Sequence, residues 1–261
     1  MPSLTLQEIP YQASSETLFA ALRDLPDAVW LDSGTPHSIQ GRFDIISACP
    51  DAIIETHGAV STLVDQDGSR TSEEDPFSLA EQLLEPLVDK TLSSDYPFVG
   101  GLIGYFGYDL GRRLIDIPNN AQQITDLPDM RIGRFLWALV VDHQEKRSEL
   151  VFHAQCSDEL KVLISSRLID LKVADQPDRF KLNQTFAATL SEPEYKESIR
   201  AIKRYISSGD CYQTNFTQHF SAQFSGDLWP AYLALRQAVG SPYSAFWQWR
   251  DQALLCVSPE R

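Results

Sequence analysis

The chain has 261 residues, enough for one to two domains with a real core, and its 43% apolar and 22% charged residues exclude the disordered, collagen-like and coiled-coil classes. Thirty-six acidic against twenty-two basic residues leave a formal charge of −14, which opposes binding to a nucleic-acid backbone or to an anionic membrane surface. With no run of eighteen apolar residues and no basic stretch in Met1 to Pro10, neither a membrane span nor a secretory signal is expected, and the expected compartment is cytoplasmic.

The first half reads as short strands with few helices. Ser14 to Leu25 is expected to be a helix with Leu18, Phe19 and Leu22 on one face, stopped before Pro26. Strand-like runs follow at Ala28 to Asp32, Arg42 to Ala48, Ala52 to Thr56 and Ala59 to Val64, and their close spacing predicts antiparallel pairing. Asp65 to Pro76 is polar and reads as a loop, and Ser78-x-x-Glu81 reads as a capping box that starts a helix through Leu87. Phe98 to Tyr108, Arg134 to Asp142 and Glu149 to Ala154 complete the strand set, and Ser157 caps a helix to about Leu171.

Residues 173–190 are polar and without a clear period, which places a linker there. Beyond it, Ser191-x-x-Glu194 caps a helix whose Tyr195, Ile199, Ile202 and Ile206 share a face and which Gly209 ends. Cys211 to Phe224 alternates, predicting a half-buried strand with Gln213, Asn215, Thr217 and His219 as its hydrogen-bonding face. Asp227 caps a helix through Val239, and Ser244 to Trp249 with Ala253 to Ser258 reads as a hairpin turning at Arg250 and Asp251. From Ser191 onward basic and acidic residues balance, so the −14 belongs to the first 190 residues, and an anionic small molecule is electrostatically cheaper to place in the C-terminal stretch.

Four features carry candidate chemistry. Five glycines fall between Gly100 and Gly111 in GGLIGYFGYDLGRR, at spacings that fit no phosphate-binding motif; close backbone packing is the favoured reading over a ligand role. Arg112 and Arg113 behind them suit a surface charge, an ion pair or a partner contact. The polar row ending at His219 is either a solvated face or a binding face. The terminal SPER sets Glu260 directly after an apolar strand, where rigid elements commonly hold catalytic side chains. The four cysteines, Cys49, Cys156, Cys211 and Cys256, have neither disulfide nor zinc-ligand spacing and read as thiols.

Taken together, GGLIGYFGYDLGRR, SSGDCYQTNFTQHF from Ser207, PYSAF from Pro242 and the terminal SPER resemble the chorismate-utilising enzymes. Cys211-Tyr212 after the Gly-Asp, where anthranilate synthase large subunits typically carry Ile-Phe, favours the aminodeoxychorismate branch. The resemblance implies an α+β fold of largely antiparallel sheets, the anthranilate synthase component I-like fold, C-terminally truncated. It divides the chain into an N-terminal domain over 1–172, the linker at 173–190 and the opening of the chorismate-binding catalytic domain at 191–261. It implies conversion of chorismate and ammonia to 4-amino-4-deoxychorismate in para-aminobenzoate and folate synthesis, with a glutamine amidotransferase subunit as partner and with neither nucleic acid nor membrane.

The resemblance makes Glu260 the proton donor to the departing C4 hydroxyl of chorismate, a role suited to a carboxyl group with a raised pKa. The family's lysine nucleophile and its Mg²⁺-binding acids belong to segments beyond Arg261, so the 261 residues alone are expected to be inactive, with no metal ligand among them. A tryptophan pocket is implied at Ser33, Gln40, Gly41, Arg42, Phe43, Pro242, Tyr243 and Ser244, with bound tryptophan as its ligand and ordinary interdomain packing as the competing reading; Asp32-Ser33 stands where anthranilate synthases usually carry Glu-Ser. Anthranilate synthase component I, and a non-catalytic module that binds an amidotransferase or tryptophan, are the alternatives.

Overall fold

A computed structural model describes residues 4–34, 41–88, 95–113, 115, 125–171 and 179–258. In chain order its elements are β1 (Thr5–Ile9), α1 (Glu16–Ala20), β2 (Val29–Asp32), β3 (Phe43–Ser47), β4 (Ala52–His57), β5 (Val60–Asp65), β6 (Gly68–Ser72), α2 (Pro76–Leu84), β7 (Gly101–Phe106), β8 (Met130–Phe135), β9 (Trp137–Asp142), β10 (Arg147–Phe152) and α3 (Asp158–Asp170). There follow β11 (Lys181–Leu182), β12 (Ala187–Ala188), α4 (Glu192–Ser208), β13 (Phe220–Ser221), β14 (Phe224–Ser225), α5 (Leu228–Val239), β15 (Tyr243–Trp249) and β16 (Gln252–Ser258). Two compact units result, one of Met1–Asp175 with Ala234–Arg261, the other of Gln176–Leu233.

The first unit is built on two antiparallel sheets, as the α+β expectation requires. One has seven strands in the order β1-β10-β9-β3-β2-β15-β16, the other five in the order β6-β5-β4-β8-β7. The C-terminal hairpin therefore completes a sheet begun by the first strands, with Phe246 of β15 opposite Trp30 of β2. Alternation along the strands separates two apolar faces. On one, Phe19 of α1 stacks on Trp30 at 5.6 Å and meets Phe246 edge-on at 5.7 Å. On the other, Val29, Trp247 and Trp249 of the seven-stranded sheet pack with Ile103 and Phe135 of the five-stranded one. Burial of each large side chain there contributes about 1.5–3 kcal/mol. A third cluster, with Ile54, Leu63, Met130 and Ile132, lies under Leu79 and Leu83 of α2.

Several expectations are corrected. Arg134 to Asp142 is not one strand: the chain runs through β8 in the five-stranded sheet, turns at Leu136 and enters β9 in the seven-stranded sheet. Gly133 makes room at that corner, since a Cβ there would lie 2.8 Å from the Phe135 ring. The expected loop at Asp65 to Pro76 holds β6, returned by a tight turn in which Asp65 pairs with Gly68 at φ +116°. The α2 N-cap is Asp75 rather than Ser78; its carboxylate accepts the Ser78 N–H at 2.9 Å, and Pro76 fits the first turn because it has no N–H to satisfy. The helix expected over Ser14 to Leu25 is regular only across Glu16–Ala20, and Ser15 turns its hydroxyl inward.

In the second unit, α4 has the expected capping box at Ser191 and Glu194 and the expected left-handed Gly209. The strand expected over Cys211 to Phe224 does not form; only β13 and β14 are paired, each over two residues, with β12 and β11. A strand needs a ladder partner along its length, and the described residues offer these two-residue stretches alone. The interval expected as linker contains β11 and β12, its residues 173–178 lying outside the described ones. Among the described residues no helix is long and apolar enough to cross a membrane.

Candidate functional site

A buried polar network sits on the α1-covered face of the seven-stranded sheet. Asp32 and Asp44 flank the Leu31↔Ile45 pair of β2 and β3 on the same side, both buried within apolar strands. Each is satisfied by groups remote in sequence. Asp44 accepts the Ser15 hydroxyl at 2.5 Å, the Ser33 hydroxyl at 2.7 Å and the Ser33 N–H at 2.8 Å. His143 brings Nε2 to 3.0 Å from the same carboxylate, with the Tyr11 hydroxyl 3.2 Å from its Nδ1. Burial pushes the Asp44 carboxyl up, but the hydrogen bonds from His143, Ser15 and Ser33 outweigh it and hold the group below the usual carboxylate range. Asp32 accepts the Gly34 N–H at 2.8 Å and pairs in two-pronged fashion with Arg236, whose guanidinium lies 5.1 Å from the Trp30 ring centre.

This network gathers part of the set singled out from sequence. Ser33 is held by Asp44; Gly41 backs onto it, since a Cβ there would come 2.6 Å from the Ser33 carbonyl oxygen. Gly34, at φ +73°, passes so close to the Ser241 carbonyl that a side chain would collide, which brings Ser241-Pro242 beside Ser33. Ser244 pairs with Asp32 in the β15–β2 ladder. Other members point elsewhere. Phe43 and Ile45 face the opposite side of the sheet from Asp44 and pack with Val140 and Val151. Arg42 lies over Phe43 at 4.6 Å and binds Asp142 at 2.6 Å, and both side chains line a surface pocket of about 470 Å³ with Leu4, Leu6, Tyr96 and Val140. Tyr243 is exposed, and Gln40 and Glu260 lie outside the described residues.

A second node joins the two sheets. Arg131 of β8, 1% exposed, pairs with Glu55 of β4 at 2.6 Å and with Asp27, and its guanidinium sits 5.3 and 5.0 Å from the Trp247 and Trp249 ring centres. Burial outweighs Arg131 at Asp27, leaving that carboxyl above its ordinary value, and pushes the neighbouring Tyr105 hydroxyl up to about 12. The glycine run serves this joint. A Cβ on Gly104 would strike the Arg131 carbonyl, and one on Gly107 would lie 2.8 Å from the Asp129 carbonyl oxygen, so the run lets β7 pass close to β8. Arg113 is a backbone strap, donating to the carbonyls of Gly58, Ala59, Glu73 and Glu74 at 2.7–3.2 Å, and Arg112 pairs with Asp109 at 2.8 Å.

All four cysteines are free thiols, with Cys156 pushed up to about 11 by burial. Gln213, Asn215, Thr217 and His219 lie on irregular backbone. Sequence reasoning missed Tyr11, Ser15, Asp44, His143, Arg131 and Arg236. The available signal was a charged residue at an inward strand position, as in Asp44 between Phe43 and Ile45, but nothing local names its partners.

The model of the chorismate binding enzyme family matches residues 27–261, a span that takes in β2, β3 and the β15–β16 hairpin. The chain belongs to the chorismate binding enzyme family. Within that family it is 38% identical to aminodeoxychorismate synthase component 1 of Escherichia coli, over 96% of this chain and 54% of that protein. It is 37% identical to the Klebsiella aerogenes protein of the same name, over 100% of this chain and 57% of the relative. Anthranilate synthase alpha subunit 2 of Arabidopsis thaliana is 29% identical over 91% of this chain and 43% of its own length. The chain thus spans about half the length of the curated relatives it matches. Its fold is that of anthranilate synthase component I from Streptococcus pneumoniae, with a TM-score of 0.70 over 97% of this chain and 57% of that one, at 22% identity.

Proposed function

We propose that this chain acts as part of an aminodeoxychorismate synthase component I, which converts chorismate and ammonia to 4-amino-4-deoxychorismate, the ammonia coming from a glutamine amidotransferase partner. The supporting observation is that identity to three relatives bearing that name is 35–38% over 96–100% of the chain, against 27–29% for the anthranilate synthases, two further relatives of that name standing at 28–30%. The likeness in fold does not separate the two branches.

In this reading residues 1–172 form the N-terminal domain and 191–261 open the catalytic one. Glu260 donates the proton that lets the C4 hydroxyl leave as water, because hydroxide is a poor leaving group. In the sequence Glu260 follows β16, a strand paired along its whole length with β15, by two residues. The Ser33, Gly41, Pro242 and Ser244 cluster is the candidate amino-acid pocket, tryptophan being the ligand; Gln40 is a further candidate, and Arg42, Phe43 and Tyr243, which point elsewhere, are not assigned to it. Mg²⁺ is the family's metal, but among the described residues no group of three or more His, Cys, Asp or Glu side chains could hold one, and no step is assigned to it. The 261 residues alone are expected to yield no product.

The test joins this chain to the remaining portion of the Escherichia coli relative and assays chorismate with ammonia and Mg²⁺. The expected product is 4-amino-4-deoxychorismate, with kcat reduced about 10²-fold or more in Glu260→Gln. Anthranilate as the product refutes the branch, and a Glu260→Gln loss below about threefold removes Glu260 from the acid role.

A further inference from the structure

The Asp44 carboxylate and the His143 imidazole form a titratable pair closed off from water, their side chains 0% and 2% exposed. The atoms themselves dictate the hydrogen-bond roles. An ionised carboxylate only accepts, so Asp44, held below the usual carboxylate range, requires a proton on the nitrogen that faces it, the His143 Nε2 at 3.0 Å. The other nitrogen, Nδ1, lies 3.2 Å from the Tyr11 hydroxyl. A phenol both donates and accepts, so Tyr11 donates to a bare Nδ1 and accepts from a protonated one. The imidazole keeps both bonds whether neutral or charged, and only Nδ1 changes. Neighbouring charges are matched elsewhere. Asp32 on the same face is paired with Arg236 of α5. Arg42, whose carbonyl accepts the His143 N–H at 3.0 Å, turns its guanidinium to Asp142, with Glu145 acting on it from the same turn. β10 contributes the uncharged Ser148 opposite Val141, and the start of α1 contributes Ser15.

We propose that Tyr11, His143 and Asp44 form a proton-linked clamp on Ser33: Nδ1 gains and loses a proton inside the folded core, and the charge on His143 sets how tightly Asp44 holds Ser33. Ser33 donates its hydroxyl and its N–H to Oδ1 of Asp44, at 2.7 and 2.8 Å, while Ser15 and His143 meet Oδ2. A neutral imidazole leaves the carboxylate charge to neutral donors. An imidazolium takes a larger share of that charge, and the two Ser33 bonds weaken. Acid therefore loosens Ser33 and base tightens it. Transmission of pH to the amino-acid pocket rests on the reading above that Ser33 lines it, whereas the clamp itself does not.

Long-range ¹H–¹⁵N NMR of the ligand-free 261-residue chain, labelled at histidine and serine and scanned from about pH 5 to 9, tests the clamp. The His143 signals are those lost in His143→Gln. A protonated Nε2 at every pH, a change of state at Nδ1 alone, and a Ser33 amide proton that moves with the same midpoint are expected. Tyr11→Phe removes the acceptor of the Nδ1 proton and is expected to lower that midpoint by about half to one pH unit, since bonds to a charged group outweigh neutral ones. Tyr108→Phe, in a fully exposed side chain, should leave it unchanged. A neutral imidazole with its proton on Nδ1, a His143 of constant charge across the range, a Ser33 amide that does not follow it, or a midpoint indifferent to Tyr11→Phe overturns the proposal. If Tyr11→Phe fails to fold, the tautomer and the shared midpoint in the parent chain decide. Because no ligand is present, failure of the pocket reading leaves every one of these outcomes unaltered.

Discussion

Replacing Arg131 by methionine should loosen the joint between the two sheets, and its cost follows from the side chains left behind. The guanidinium is 1% exposed, whereas Asp27 and Glu55 are each 13% exposed, so removing it strands two nearly buried carboxylates on facing elements. Breaking a buried pair by deleting one partner typically costs about 3–5 kcal/mol, and stacking over Trp247 and Trp249 adds about 0.5–2 kcal/mol. Two features lower the sum. Arg250 stays 3.3 Å from Glu55, and Asp27, already above its ordinary pKa, can shed its charge by taking a proton. A loss of about 3 kcal/mol results, or roughly 6–12 °C in Tm for a chain of this size.

The pH dependence carries the sharper test. An acid whose folded pKa is raised binds more protons folded than unfolded, so its contribution grows less favourable as pH rises from the unfolded value toward the folded one. Without Arg131 the folded pKa of Asp27 climbs further, so the deficit of Arg131→Met should be largest at neutral pH and shrink toward about pH 4. Urea unfolding followed by tryptophan fluorescence, at several pH values, measures both. A deficit below about 1 kcal/mol, or one that does not change with pH, would refute the view that Arg131 acts as buried counter-charge rather than as filler.

Asp44→Asn should cost about 1–3 kcal/mol at neutral pH by weakening the charge-assisted bonds from Ser15, Ser33 and His143. Because the folded pKa of Asp44 is lowered, its contribution is present above the unfolded value and is lost as pH falls through the folded one, so acid should destabilise the parent more steeply than Asp44→Asn; parallel acid titrations of Tm would contradict this. Gly104→Ala should destabilise by about 1–3 kcal/mol, since its Cβ would strike the Arg131 carbonyl, while Gly111→Ala, with nothing within 4 Å, should stay within about 0.5 kcal/mol. Equal melting temperatures for these two variants would show that the glycine run is not there for close packing.

Local chemistry was legible in the chain. Ser157 caps α3 by accepting the Leu160 N–H at 3.2 Å, the Ser191–Glu194 box starts α4, and the hairpin turns at Arg250 and Asp251 with Arg250 at φ +49°. Each needs groups only a few residues apart, which the residue order supplies. The β6 turn was also written there, as Asp67-Gly68, but the strand it returns is polar and almost wholly exposed and so lacks the alternation by which strands are recognised. The family was legible because its motifs are contiguous segments, and the matched span from residue 27 to 261 agrees with them.

By itself, then, the amino-acid order determined the antiparallel α+β character, the helix ends, the C-terminal hairpin and the family. Tertiary structure alone decided where these pieces meet. That β15 lies against β2, some two hundred residues away, and that a single run from Met130 to Asp142 serves two sheets, follow from how twisted apolar faces cover one another. The same holds for the site. Ser33 was visible as a candidate, but that Asp44 holds it while Phe43, one residue earlier, faces the other way is a consequence of the two-residue strand period acting on a sheet whose order no local pattern encodes. Buried charges make the point most plainly. Arg131 and Asp44 are ordinary polar residues in the sequence; they become the joint and the anchor of this molecule only because folding removes them from water, and a charge removed from water must find its partners wherever the chain brings them.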